Sequence, residues 1–311
     1  MTKINRYNYI IYHKGCLDGY TGFYLFIRTK KWEPKPYVYP DVPSAIKVPP
    51  EIDGKVVIII DVAYNPQLLQ EIAQRAKKVL FIDHHKTHQK EIEDLNLPKP
   101  HEIVYRIDRC GATLVWDYFY GSKPVPKFVQ LVEDNDLGYW KMKDTLPFVT
   151  AMEVLFSMKP YIDVLRQWDK LLKPKQLENI IKKGKTFEEY KQNLIKKVAK
   201  GHYVVSFPSQ WARERFGLDD IVYKVGVING GTPSTSLVGK YVVDNYPVDF
   251  CLLYRIDLEH KRFIVSLRSK EVDVGEIAKR LGGGGHALAS GFIFSMSDHN
   301  EKFLWDMFDY Y

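Results

Sequence analysis

The feature that most constrains this chain is Val56-Val57-Ile58-Ile59-Ile60, five consecutive β-branched residues that stop at Asp61. A strand that alternates apolar and polar residues has one wet face, whereas an unbroken apolar run fits a strand covered on both faces. Asn65-Pro66 follows, an N-cap with proline in the first turn, and predicts a helix to about Lys78. Val79-Leu80-Phe81-Ile82 is the next strand and stops at Asp83. Strand, helix and strand at this spacing make a βαβ unit, and therefore a parallel sheet. Upstream, Tyr9-Ile10-Ile11-Tyr12 is a short β-rich run ending at His13, and residues 19–31 suit a helix.

Residues 111–200 read as mostly helical, with breaks expected at Pro124, Pro126, Pro147, Pro160 and Pro174. Phe187, Tyr190, Leu194, Ile195 and Val198 form a helical stripe up to Lys200, with Gly201 as its expected C-cap. Beyond it the texture becomes strand-like at 203–205, 221–228, 250–255 and 262–267. A helix over 273–281 then opens on Asp273 with Glu276 three residues on, and Gly282 to Gly285 and His286 follow. The expected class is α/β. A domain with a parallel sheet spans 1–185, a helical connector 186–201, and a smaller α+β domain 202–311.

With 311 residues, 45% of them hydrophobic, the chain has ample material for such cores and is not disordered. No apolar run approaches the ~20 residues of a membrane span, and the N-terminal run is too short for a signal peptide. Cys16, Cys110 and Cys251 are too scattered for a disulfide framework or a structural zinc site. The expectation is a soluble, cytoplasmic protein with no membrane partner, and a homodimer is left open. The net charge of +7 sits between Lys159 and Lys200, where 12 basic residues face 5 acidic ones. A stripe of this kind suits a polyanionic partner, or simply a solvated helix face.

Three expected strands end on residues that bind hard or borderline cations: His13, Asp61 and Asp83. In open α/β sheets ligands bind at the carboxyl ends of strands, so these positions should converge. Around them lie Asp18, the His84-His85 pair and the acidic run Glu133-Asp134-Asn135-Asp136. Taken singly, each is as readily a cap or turn residue. Their joint placement at successive strand ends points to a metal site.

The order His13-x-x-Cys16-x-Asp18-Gly19, Asp61, Asp83-His84-His85 and Glu133-Asp134-Asn135-Asp136 resembles the DHH phosphoesterase superfamily. Val265 to Ser269 and Gly282 to His286 with Ala289-Ser290-Gly291-Phe292 resemble its C-terminal DHH-associated domain. The resemblance implies that His13, Asp18, Asp61, His84 and Asp134 hold two divalent ions, usually manganese, with Asp61 bridging. Asp83 would ligate or orient the histidines, and His85 would lie near the scissile phosphate. Asp134 is favoured over Asp136 as the ligand. Cys16 stands where many relatives carry a carboxylate, which predicts a weaker or softer first metal site.

Two such ions can share a hydroxide and clamp phosphoryl oxygens, so no separate protein nucleophile is needed. The glycine run lets backbone N–H groups approach an anion, and with it Gly283, Gly284 and Gly285 are expected to bind substrate. By resemblance Arg268 and His286 grip the phosphate or nucleotide end distant from the metals. The expected function is manganese-dependent phosphodiester hydrolysis of short single-stranded oligonucleotides or linear dinucleotides to mononucleotides. The alternatives are a phosphoesterase for a signalling nucleotide (a cyclic dinucleotide or 3′-phosphoadenosine 5′-phosphate) and a catalytically degenerate nucleic-acid-binding member.

Overall fold

The structure is a computed structural model and describes residues 6–43, 45–230, 235–296 and 304–310. Two compact units, Met1–Glu188 and Glu189–Tyr311, divide the chain. The first contains β1 (Tyr7–His13), α1 (Leu17–Arg28), β2 (Trp32–Asp41), β3 (Val56–Ile60), α2 (Pro66–Arg75) and β4 (Lys78–Asp83). There follow α3 (Gln89–Glu93), β5 (Glu102–Tyr105), α4 (Gly111–Tyr120), α5 (Lys127–Asp136), α6 (Thr145–Leu155) and α7 (Ile162–Trp168). Helix α8 (Pro174–Ala199) runs through the division between the units.

The five strands form one sheet in the order β2-β1-β3-β4-β5, and every pairing is parallel. The unbroken apolar runs are buried on both faces. Ile10, Ile58, Ile60, Leu80 and Ile82 pack with α1, α4 and α5, while Tyr9, Ile11, Val57, Ile59, Val79 and Phe81 pack with α2. Each such burial is worth roughly 1.5–3 kcal/mol, which fixes the register that carries the strand ends. Strand β2 was not expected. It holds Pro34, Pro36 and Pro40, tolerable because it is the sheet's edge and needs partners on one side only.

The helical middle departs from expectation at Pro147, which lies in the first turn of α6 rather than at a break, where its missing N–H leaves no bond unmade. The break expected at Pro174 is present, but α8 opens there, so the helix expected from about Phe187 starts thirteen residues earlier. Helices α6 and α8 touch backbone to side: a methyl group at Gly184 would fall 1.8 Å from the Pro147 carbonyl oxygen. Gly184→Ala should therefore lower stability by about 1–3 kcal/mol through overpacking, read as a drop in the urea midpoint of the full chain. A midpoint equal to wild type would show that the two helices separate freely.

The second unit contains β6 (Tyr203–Phe207), α9 (Gln210–Phe216), β7 (Tyr223–Asn229), α10 (Thr235–Asn245), β8 (Phe250–Asp257) and β9 (Arg262–Ser269). It ends with α11 (Val274–Arg280), β10 (Gly284–His286) and β11 (Ala289–Ser295). Its sheet runs β10-β11-β9-β8-β7-β6 and is antiparallel except for β7 and β8, which α10 connects as a parallel crossover. Asp273 caps α11, its carboxylate accepting from Glu276 N at 3.0 Å, as the sequence pattern predicts. No described helix is long and apolar enough to cross a membrane.

Candidate metal centre

The first sheet reverses direction at β1: β2 was added on one side of it and β3 on the other. A crevice forms at such a switch point, outside the carboxyl ends of the two diverging strands. His13 is the last residue of β1, and Asp61 directly follows β3. Asp61 has a left-handed backbone, φ 61°, a conformation sparsely populated outside glycine and best tolerated by aspartate and asparagine. Its N–H donates to the Ile82 carbonyl at 2.8 Å, which ties the kink to β4.

Asp61 is the hub. Its Oδ2 lies 3.3 Å from His13 Nδ1, and its Oδ1 lies 3.1 Å from His84 Nε2 and 3.7 Å from His85 Nδ1. Two groups of donors close enough to hold a cation share it, His13-Asp61-His85 and Asp18-Asp61-His84. Close approach around the hub requires glycine at two places. A methyl at Gly19 would meet His13 Cβ at 2.6 Å, and one at Gly111 would meet Asp61 Cβ at 2.8 Å. Glycine at 111 also lets α4 present its first N–H groups to Asp18. Gly111 N and Ala112 N donate to the two Asp18 oxygens at 2.6 and 2.8 Å, a favourable end of the helix for a carboxylate.

Asp83 holds His85. Its Oδ1 is 2.8 Å from His85 Nδ1, and the Tyr105 hydroxyl donates to the His85 carbonyl at 2.6 Å. With Nδ1 engaged, Nε2 is the ring atom left to meet a ligand or substrate.

One expectation is corrected. Asp134 does not join this cluster: its carboxylate accepts from Lys141 N at 2.9 Å, Met142 N at 3.1 Å and the Thr145 hydroxyl. It is a turn anchor. The helix-end carboxylate that meets the histidines is Asp136, whose Oδ2 lies 3.3 Å from His84 Nε2. Positions 134 and 136 sit about 200° apart around a helix, so the helix cannot aim both at one centre.

The donor set fits divalent cations. Oxygens of Asp18, Asp61 and Asp136 lie 3.6, 3.1 and 3.3 Å from a single atom, His84 Nε2, which carries at most one proton. Asp136 Oδ2 is buried, makes no hydrogen bond among the described residues and faces the same imidazole that Asp18 and Asp61 already share. Three buried carboxylates against one imidazole leave negative charge that a divalent cation would offset. Burial and the neighbouring Asp61 push the carboxyls of Asp18 and Asp136 up from their ordinary range. Burial opposes charge on His84, but the Asp61 hydrogen bond and the fields of Asp18 and Asp136 outweigh it and lift the imidazole from 6.5 to about 9.

The cation-free centre therefore holds a proton that a metal must displace. Without cations, this charged histidine stabilises the fold fully below about pH 6.5 and loses that effect as the pH rises through about 9. Manganese affinity should rise over the same interval, with proton release visible by calorimetry in buffers of different ionisation enthalpy. Affinity independent of pH between 6.5 and 9 would remove His84 from the ligand set.

Cys16 caps the start of α1 without a side-chain hydrogen bond, and burial with the fields of Asp61 and Asp18 pushes its thiol up, so it stays protonated at neutral pH. Cys16→Asp should tighten manganese binding, and unchanged affinity and stoichiometry would show that the position does not face a cation. Cys110, fully buried, lies 3.3 Å from Thr113 Oγ1.

The remaining expected residues belong to the second unit. Arg268 on β9 donates to Ser236 Oγ at 2.6 Å and to the Leu267 carbonyl at 2.7 Å. Gly284, Gly285 and His286 do not form a free loop but the exposed edge strand β10, paired with β11. Much of the glycine run answers to packing. A methyl at Gly283 would lie 2.1 Å from the Gly291 carbonyl oxygen, and one at Gly285 would lie 2.6 Å from Ser290 Cα. Gly284 meets nothing within 4 Å, so packing does not explain that glycine.

Residues 220–311 match the DHHA1 domain family. An uncharacterised protein of Acanthamoeba polyphaga mimivirus is 26% identical over 307 residues, 92% of this chain and 67% of that protein. Oligoribonuclease NrnB of Bacillus subtilis is 24% identical over 241 residues, 73% of this chain; the aligned region spans 55% of NrnB, little more than half its length. Among solved structures, the pGpG-specific phosphodiesterase PggH of Vibrio cholerae superposes with a TM-score of 0.52 at 13% identity, covering 94% of this chain and 95% of that one, which shows a shared fold. Residues 220–311 are thus a DHHA1 domain, and the chain as a whole, with its parallel sheet and strand-end donors, is similar to the DHH superfamily of phosphoesterases.

Proposed function

We propose that this chain is a divalent-metal-dependent nucleotide phosphodiesterase that hydrolyses short oligonucleotides or linear dinucleotides to mononucleotides. The observation that carries this reading is Asp61, whose two oxygens face different imidazoles and so serve two adjoining donor sets. The relatives named oligoribonuclease and pGpG-specific phosphodiesterase support the substrate class.

His13, Asp18, Asp61, His84 and Asp136 would hold the cations, and His85 completes the set around Asp61. Carboxylate and imidazole donors together suit manganese. When bound, a pair of such ions lowers the pKa of water and offsets charge on phosphoryl oxygens. The protein's own share is orientation. Asp83 fixes the ring of His85 so that Nε2 can donate to a phosphate oxygen, and α4 fixes Asp18. In the second unit, Arg268 and His286 are assigned the substrate's other phosphate. A guanidinium fork suits that task, and the exposed imidazole and unblocked Gly284 backbone leave room for an anion.

The test is release of mononucleotide from a 5′-phosphorylated dinucleotide with manganese and with excess chelator. Turnover should require the metal and fall as the substrate lengthens. Equal rates on dinucleotides and long single strands would reject the short-substrate reading, and turnover in chelator would reject the metal.

A further inference from the structure

We infer that Tyr139 is the platform on which a substrate nucleobase stacks beside the metal centre, an assignment that rests on the function proposed above. An open cleft of about 330 Å³ is lined by His84, His85 and Asp136 together with Ile107, Leu137 and Tyr139. The same cavity thus joins the candidate catalytic groups to an aromatic ring that is 47% exposed. An exposed tyrosine alone is ordinary on a protein surface. One that shares a cleft with three donors of a phosphodiesterase centre stands where the base next to the reacting phosphate must go.

The backbone that carries the ring is fixed. Tyr139 N and Trp140 N donate to the Asp134 carbonyl at 3.0 and 3.2 Å, while the Asp134 carboxylate takes Lys141 N and Met142 N. Five donors, counting the Thr145 hydroxyl, converge on this one residue two positions before the metal-facing Asp136. A segment pinned in this way loses little freedom on binding, which favours affinity. Lys141 Nζ lies over one face of the Tyr139 ring, 4.9 Å from its centroid, so a base would stack on the opposite face. Lys86 also lines the cleft, and neither lysine makes an ion pair among the described residues. Their charges suit the phosphates on either side of a stacked base. Stacking on a flat ring is tolerant of base identity, so the platform predicts a general preference for nucleotides over sugar phosphates.

The experiment compares binding of AMP and ribose 5-phosphate to the full chain in manganese, with Tyr139→Ala, Tyr139→Phe and Tyr139→Trp. One stacked base is worth about 5- to 150-fold in affinity, so wild type should prefer AMP by a factor in that range. Tyr139→Ala should erase most of this preference while leaving ribose 5-phosphate binding and melting temperature unchanged, and Phe or Trp should restore it. If the preference survives Tyr139→Ala, or if wild type binds both ligands equally, the platform is wrong. The first of these results would move the base elsewhere, for instance to the apolar pocket of about 270 Å³ formed by Leu17, Met152, Phe156 and Met158. If neither ligand binds wild type with manganese present, the phosphodiesterase reading falls and the platform with it.

Discussion

Asp61→Asn should abolish turnover and strip the protein of its stabilisation by manganese. Asparagine keeps the size of the side chain and tolerates the left-handed backbone that Asp61 adopts, so the fold should survive. What it removes is the charge that both donor sets share. Losing an outer partner of a metal ligand typically costs 10–100-fold, and losing the shared ligand should exceed that range of about two decades. Wild type should gain about 2.7 kcal/mol at manganese concentrations near 100 times the dissociation constant, and the variant should gain none. Cation-free stability should fall, because the His13 and His84 hydrogen bonds hold the Asp61 carboxyl well below its usual range and the charged His84 loses its chief partner. The checks are steady-state turnover, metal stoichiometry, and melting curves with and without manganese. Retained stoichiometry and rate would dissolve the shared-carboxylate picture.

Asp136→Asn and Asp134→Asn should give opposite phenotypes, although the residues are two positions apart. Asp136→Asn removes a buried carboxylate charge that faces His84 beside two other carboxylates, so activity should fall by at least about 10–100-fold with the melting temperature unchanged or raised. Asp134→Asn should retain chemistry at saturating substrate but lose stability of the order of 1.5–3 kcal/mol, the worth of hydrogen bonds to a charged group. Burial alone would raise the carboxyl of Asp134, but the Thr145 hydroxyl and the N–H groups of Lys141 and Met142 hold it below the usual range. Its contribution is therefore present above the ordinary carboxylate pKa and is lost as pH falls through the depressed value. The wild-type stability advantage over Asp134→Asn should shrink in acid. If instead Asp134→Asn loses the metal and Asp136→Asn does not, the ligand assignment reverses.

How much of this was legible beforehand follows from what the physics writes into sequence. Strands buried on both faces must be apolar throughout, so β3 and β4 stood out, and with them Asp61 and Asp83 at their ends. An edge strand is under no such demand, and β2 with its three prolines left no trace. The choice between Asp134 and Asp136 was not legible, because a helix puts them on different faces and only the surrounding fold says which face meets the histidines. The glycines before His286 were visible as a run. Their packing against β11 was not, because the contact lies between residues whose pairing no local pattern reveals.

Splitting anchor from ligand along α5 makes this turn a modular insert. Since the four backbone N–H groups of residues 139–142 are all held by Asp134, the stretch between Leu137 and Met142 can be swapped for another of similar length without touching Asp136 or the histidines it faces. Evolution, or an engineer, can thus vary this loop while the strand-end donors beside it stay in place.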